Sequence, residues 1–455
     1  MGGSDRQSGA SDVRGRLLRI FGLGFGLAVV VGGVIGSGIM RNPSVVAAGF
    51  PDARIILLAW LAGGAFVAIE AMPTVELGAA IPQSGGPYPL AVRAIGPFPG
   101  FFVAWADWLQ LVFSTGFIAV AFGEYVQRLG FFWGLTTGEI AIGLVVGCGA
   151  INWISSRVGG ASQSIGSALK ALGLLILVAT LFLAHGNPAA VAAAPPPPAF
   201  SWVAAAVAIR AVFAAYGGWQ AVVYFSEEVH EPERNVARAT FGGIALITAI
   251  YTLINAAVLH VLPIGILTRS TLAVSDAMTM VLGQGSGVIV TLLAIVCVAT
   301  IANLQIMEHV RTTYAMAREG VLPPALAVVS KGGTPRPALI VVVIATALVI
   351  LSADLFKGEL YEVLLNLYVP NAMIIFLMLS FGAIRLRRTE PHLPRPYRMP
   401  FFPLPALVSI AANAVLIVVF VVSDWKTGLY CVLALSAAFP IYAYGRLRWR
   451  AQGTR

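Results

Sequence analysis

Charge is scarce in this sequence. Asp, Glu, Lys and Arg make up 11% of its 455 residues, against roughly 25% in a soluble domain. A soluble chain of this length would divide into several cores, each needing a charged surface, and too few charges are present to cover them. Cysteine is scarce as well: Cys148, Cys297 and Cys431 stand apart, each within an apolar run. That spacing gives neither a disulfide framework nor a metal pattern, so no metal or cofactor is expected. His185, His230, His260, His309 and His392 are equally scattered, and none forms a ligand pair on one helix face. The nucleophile-and-base pair, paired carboxylates or metal cluster that an enzyme needs are not visible. Alternation is missing too: the apolar runs are continuous over about 20 residues, which excludes barrel strands.

What is present is hydrophobicity, at 58% of residues with a mean hydropathy of +0.86. The runs predict an all-α polytopic membrane protein of about twelve spans. These begin near Leu17, Ile55, Phe101, Gly138, Ser162, Trp202, Phe241, Gly287, Pro337, Leu360, Phe401 and Thr427. Pro and Gly punctuate the turns, as in Pro82 to Pro89, Pro97-Phe98-Pro99, Pro195 to Pro198 and the basic stretch Arg385 to Pro400. Arg14, Arg16 and Arg19 precede an apolar run as in a signal sequence. That run continues through Gly36-Ser37-Gly38 and many more spans follow, so it reads as the first helix.

The net charge of +9 would point to nucleic acid on a soluble protein. Here the basic residues sit in short loops, which is the positive-inside pattern, and no nucleic-acid partner is expected. With the N-terminus in the cytoplasm, 21 of the 29 Lys and Arg residues fall inside and six outside, with Lys170 and Arg210 within spans. Both termini are therefore expected in the cytoplasm, on a protein of the cell membrane with the lipid bilayer as its solvent. The expected divisions are a tail over 1–16, a membrane domain over 17–445 and a tail over 446–455.

Two spans share a feature. The first is interrupted by Gly36-Ser37-Gly38 and the sixth by Gly217-Gly218. Glycine is poor in helix interiors and permits unusual backbone angles. Matching breaks at the head of two five-helix halves point to an inverted repeat, 17–184 and 202–385, around a central site, with 401–445 appended. If the first helix unwinds there, the half-helix starting near Ile39 offers free N–H groups and a positive end to a carboxylate. Carbonyls near Val34 suit an ammonium. Close helix packing through small residues is the competing explanation. Beyond the sixth break, Phe225 to Ala239 reads as a charged turn.

The motifs resemble the amino acid–polyamine–organocation superfamily, and within it the bacterial relatives of the L-type amino-acid transporters. Gly36-Ser37-Gly38-Ile39 with Pro43 matches the first-helix motif; Glu76-Leu77-Gly78, Pro82, Ser84-Gly85-Gly86 and Tyr88 match the end of the second helix. Tyr216-Gly217-Gly218-Trp219, Glu227-Glu228, Pro232, Arg234-Asn235 and Arg238-Ala239 match the sixth helix and its turn. Arg311, Ala315 to Ala317, Arg318-Glu319-Gly320 and Leu322-Pro323 match the eighth; Arg395-Pro396 and Pro400 follow the tenth. The motifs run from about residue 20 to 400 in family order.

The resemblance implies a leucine-transporter-like fold of five plus five inverted helices with two appended. It implies that N–H groups of Gly36, Ser37 and Gly38 bind a substrate carboxylate. Carbonyls around Val34, Phe213, Ala214 and Gly217 would bind the amino group. Many relatives carry a bulky aromatic where this chain has Ala214, so Phe213 or Tyr216 would have to cover the substrate. Lys170, inside the fifth span, is expensive in a membrane and a functional candidate on that ground alone. Relatives often carry a Lys there, and in proton-coupled ones its ammonium replaces a sodium ion; anchoring to first-helix carbonyls is the alternative. Glu70, Asp107, Glu124 and Arg210 are further ions within spans. Arg210 is expected to pair with a carboxylate of the second or third span. Tyr216, Asp107, Asn303 and Asn371 are candidates for the side-chain pocket or gate, with core amide bonds the competing role for the two asparagines.

Three classes compete: a transporter, a membrane-embedded enzyme, and a channel or sensor on a transporter scaffold. The paired breaks and the missing catalytic set favour a secondary active transporter of amino acids, neutral by resemblance, with alternating access and proton coupling. An exchanger or a polyamine or organic-amine carrier is the alternative. Monomer and homodimer are not distinguished by sequence.

Overall fold

In a membrane every backbone N–H and C=O must be satisfied internally, so continuous apolar runs fold as helices. The computed structural model describes residues 17–36, 38–130, 134–184, 194–283, 285–353, 360–423 and 425–448, and among them no strand ladder occurs. The first half contains α1 (Leu23–Val34), α2 (Gly38–Gly49), α3 (Ala53–Ala80), α4 (Pro87–Ile95), α5 (Pro97–Arg128), α6 (Thr137–Ile154) and α7 (Ser156–Leu183). The second contains α8 (Trp202–Ala215), a 3-10 helix (Trp219–Phe225), α9 (Pro232–Val261), α10 (Ala273–Leu282), α11 (Ser286–Arg318), α12 (Arg336–Ala353) and α13 (Leu360–Thr389). α14 (Leu404–Ser423), α15 (Trp425–Ser436) and α16 (Ala438–Arg448) complete the described chain.

Among the described residues, ten helical segments are long and apolar enough to cross a membrane, and the bent pair α1–α2 makes an eleventh. The expected ninth span falls on the shorter apolar α12. The expected tail over 1–16 lies outside the described residues, as does 449–455, whereas 446–448, expected in the second tail, end α16.

Two expected turns are helical instead, the first in part. The seventh helix begins at Pro232, not near Phe241, so the second part of the stretch expected as a turn, Pro232 to Ala239, forms its first turns, while Ser226 to Glu231 is the turn expected. Pro232 at its start loses no helical bond, Glu233 lies in the first turn, and the Asn235 amide fixes the entering chain by donating to the His230 carbonyl at 2.6 Å. Likewise Pro97, expected in a turn, is the first residue of α5.

The end of the bundle where Leu17 enters is sealed by polar contacts. The Ile20 and Phe21 amides donate to the Glu228 carbonyl at 3.0 and 2.9 Å, and the His230 amide donates to the Phe21 carbonyl at 2.7 Å. Arg311 forks onto the Glu228 carboxylate at 2.5 and 2.8 Å, with both side chains buried. Its guanidinium also lies 4.4 Å from the Phe225 ring centre, beside the Phe21–Phe25 stack. Arg318 pairs with Glu227 at 2.9 Å, Arg387 pairs with Glu76, and the Met399 amide donates to Glu76 at 2.6 Å. At the surface nearby, Arg93 binds Glu390 at 2.8 Å and holds that carboxyl below its ordinary titration range; both side chains are well exposed, so the pair adds little stability.

Of these contacts only Arg311–Glu228 has both partners out of water. Removing one partner of such a pair leaves an uncompensated charge, at a cost of about 3–5 kcal/mol. Glu228→Ala is expected to lower the Tm of the purified protein by far more than Glu390→Ala; equal Tm values would show that the buried pair contributes no stability.

Candidate substrate-binding site

The last four carbonyls of a helix have no helical partner. α1 ends in mid-bundle, and its termination can be followed atom by atom. The Ile35 amide closes the last bond, to the Val31 carbonyl at 3.0 Å. The Lys170 ammonium, on α7 and fully buried, donates to the Gly32 carbonyl at 2.5 Å and to the Ile35 carbonyl at 2.8 Å. The Tyr251 hydroxyl, on α9, reaches the Val34 carbonyl at 2.9 Å. α2 leaves at 52° to α1 from Gly38. Gly36, between them, is buried; a Cβ there would stand 2.7 Å from Ile301 of α11. Ser37 lies outside the described residues.

The second break is tighter. The Tyr216 amide donates to the Phe213 carbonyl and the Gly217 amide to the Ala214 carbonyl, both at 3.2 Å. Gly218 then takes φ +106°, and the chain continues as a 3-10 helix, not an α-helix. That left-handed residue also lies against the first break: a Cβ on Gly218 would stand 2.5 Å from the Gly33 carbonyl oxygen. Only glycine meets both conditions. Tyr251 joins the breaks from a third side, because its hydroxyl also lies 3.1 Å from the Ala215 carbonyl. Its ring is held by Trp60 and Tyr216 at centroid distances of 5.5 and 5.2 Å. The Asn42 amide ties α2 to α8 by donating to the Ala211 carbonyl at 2.9 Å.

The structure thus brings Val34, Gly36, Gly38, Phe213, Ala214, Gly217 and Lys170 together around one junction. Ala214 is exposed, and Gly38, Phe213 and Gly217 are partly so. Neither aromatic covers Ala214. Phe213 stacks on Phe66 at 4.5 Å, and Tyr216 is buried with its hydroxyl donating to the Trp60 carbonyl at 2.8 Å. Asn303 sits in an amide network, accepting from Asn152 at 2.8 Å and donating to Gln163 at 3.1 Å. Asn371 donates to the Leu367 carbonyl one turn back at 2.9 Å.

Asp107 lies away from the junction. It accepts hydroxyl bonds from Tyr224 at 2.5 Å and Thr312 at 2.9 Å, and lines a small cavity with Thr74, Gln110, Gln220 and Ile375. The pairing expected for Arg210 does not form. The residue is exposed and makes no ion pair among the described residues; Glu70 accepts from the Asn413 amide at 2.8 Å and Asp107 from its two hydroxyls. One residue of the junction was missed from sequence: Tyr251, an unremarkable tyrosine in an apolar helix.

A helical bundle built around two adjoining broken helices is the architecture of a membrane transporter. The family model for amino acid permeases matches residues 26–439. The b(0,+)-type amino acid transporter 1 of Mus musculus is 30% identical over 449 residues, 95% of this chain and 90% of that protein. The serine/threonine exchanger SteT of Bacillus subtilis (strain 168) is 28% identical over 444 residues, covering 96% and 98%. The Asc-type amino acid transporter 1 of Mus musculus is 28% identical over 450 residues, covering 96% and 82%. This chain belongs to the amino acid permease family: it is a multi-pass amino acid transporter and not an enzyme.

The junction gives a direct test of its own packing. Tyr251→Phe removes the one hydroxyl donor that the Val34 and Ala215 carbonyls share, a loss of about 1–3 kcal/mol. A lower Tm is expected for this variant; an unchanged Tm would mean that water replaces the hydroxyl.

Proposed function

We propose that this chain is a secondary active transporter of neutral amino acids that works by alternating access around the two breaks. The carboxylate is bound by the N–H groups of Gly36, Ser37 and Gly38 at the positive start of α2. The ammonium is bound by carbonyls around Val34, Phe213, Ala214 and Gly217. One observation carries this reading: a single hydroxyl, that of Tyr251, stands between the Val34 and Ala215 carbonyls. It has one proton to donate, so acceptor capacity at the junction exceeds the donors that the chain supplies. An ammonium brings the missing donors. Ala214 leaves space for the substrate side chain, and Ile301 offers it an apolar wall.

In this reading residues 17–184 and 202–385 form inverted repeats, and 401–445 are appended. The sealed end faces the cytoplasm with both termini, in the cell membrane, as the distribution of Lys and Arg supports. Opening that end releases the substrate. Lys170 couples transport to protons: its ammonium holds the two α1 carbonyls, and losing the proton removes the charge that strengthens that hold. Obligatory exchange is the second reading, supported by the exchanger among the relatives and by the anchoring geometry of Lys170.

Uptake of a panel of labelled amino acids into proteoliposomes, with and without a pH gradient, tests the proposal. Neutral amino acids should compete best; preference for a polyamine or other amine would overturn the substrate assignment. Lys170→Ala should lose accumulation driven by the gradient, and unchanged accumulation would remove Lys170 from coupling. Ala214→Phe should shrink the side-chain space and disfavour bulky substrates about tenfold, or roughly 1.4 kcal/mol. An unchanged substrate profile would place Ala214 outside the pocket.

A further inference from the structure

Glu308 is buried within the long membrane-spanning α11, with a relative exposure of 6%. It makes no hydrogen bond and no ion pair among the described residues. The neighbouring cation is already committed: Arg311 spends its Nε and one Nη on Glu228 and its other Nη on the Met307 carbonyl at 2.8 Å. The charged groups acting on Glu308 are Asp107 from α5 and Arg311 from its own helix. Tyr224 of the 3-10 helix also faces it, with its hydroxyl given to Asp107, and Glu228 follows behind Arg311. His309, next in sequence, is fully buried against Trp108 with both ring nitrogens unpartnered. α1 contributes no titratable side chain, and Lys170 of α7 is occupied at the α1 carbonyls. Two buried carboxylates, Glu228 and Glu308, therefore share one guanidinium, and Asp107 adds a like charge beside Glu308.

Every other buried charge in this region has partners of fitting geometry, and Glu308 has none. An ionised carboxylate isolated in this way is strongly unfavourable in a low-dielectric interior, whereas its neutral form is tolerated. A small cavity is close, reached through Thr312 and Asp107. Thr312, one helical turn along from Glu308, donates to Asp107, and Asp107 lines the cavity with Gln110 and Gln220. The Gln220 amide oxygen has no partner.

We propose that Glu308 is a proton-carrying site of the transport cycle, loading and releasing one proton through the cavity lined by Asp107, Gln110 and Gln220. The proton is taken from water on one side as that cavity hydrates and returned to water on the other, with no net chemical change in the protein. This rests on the alternating-access reading above but not on the role given there to Lys170.

The test uses the full-length protein in proteoliposomes, with three measurements: exchange of labelled for unlabelled amino acid at equal pH, accumulation driven by an acid-outside gradient, and internal pH reported by a trapped dye. Wild type should show all three. Glu308→Gln should keep exchange within a few-fold of wild type, while gradient-driven accumulation and dye-reported proton entry fall at least tenfold. Glu308→Asp should restore both with a shifted pH midpoint. Wild-type accumulation and proton entry in Glu308→Gln would overturn the proposal, as would a wild type that exchanges substrate but moves no proton. Absence of any amino-acid exchange in wild type would instead overturn the transport reading. If Glu308→Gln does not fold, Glu308→Asp decides: an unchanged pH midpoint overturns the proposal.

Discussion

A helix that stops inside a membrane leaves carbonyl oxygens with no N–H to meet them and no bulk water to replace it. The organisation of this protein follows from how that deficit is met at the end of α1. Lys170 closes two of the orphaned carbonyls from α7, and Tyr251 reaches a third from α9. These donors come from helices on different sides of the break, so the junction fastens α1 to its neighbours. Its state is sensitive to anything that brings or removes a donor, whether an ammonium group or a proton.

The second break depends on the first through shape as well as hydrogen bonding. Gly218 packs its backbone against Gly33, and Tyr251 shares its hydroxyl between carbonyls of both segments. Two interruptions far apart in sequence thus form one polar centre. Below it, the 3-10 helix carries Tyr224 toward Asp107, and the turn that follows brings Glu228 onto Arg311. A continuous line of contacts therefore links the polar centre to the sealed end. Charges along that line are paired or hydrogen-bonded with the exception of Glu308, which is why that residue stands out.

Much of this was legible in the sequence. Helical spans follow from long apolar runs, because lipid tolerates few other backbone conformations. Both breaks sit at the glycine clusters that marked them, and Lys170, conspicuous as a lone ammonium in a span, stands at the first break. The sequence misled where a local signal had two meanings. Proline marks a turn, yet Pro97 and Pro232 open helices, since a missing N–H costs nothing in a first turn. A charge inside a span signals a partner, but Arg210 lies on the exposed side of its helix and makes no ion pair among the described residues.

By itself, the sequence determined the membrane class, the helical fold and the places where two helices break, because these depend on local hydrophobicity and on the conformational freedom of glycine. Tertiary structure alone decided what meets at the breaks. Tyr251 and Gly33 carry no local mark of their role; only packing brings a hydroxyl from one helix between the carbonyls of two others. It also decided which buried charges are answered and which is not, since compensation depends on distances between segments that are remote in the chain.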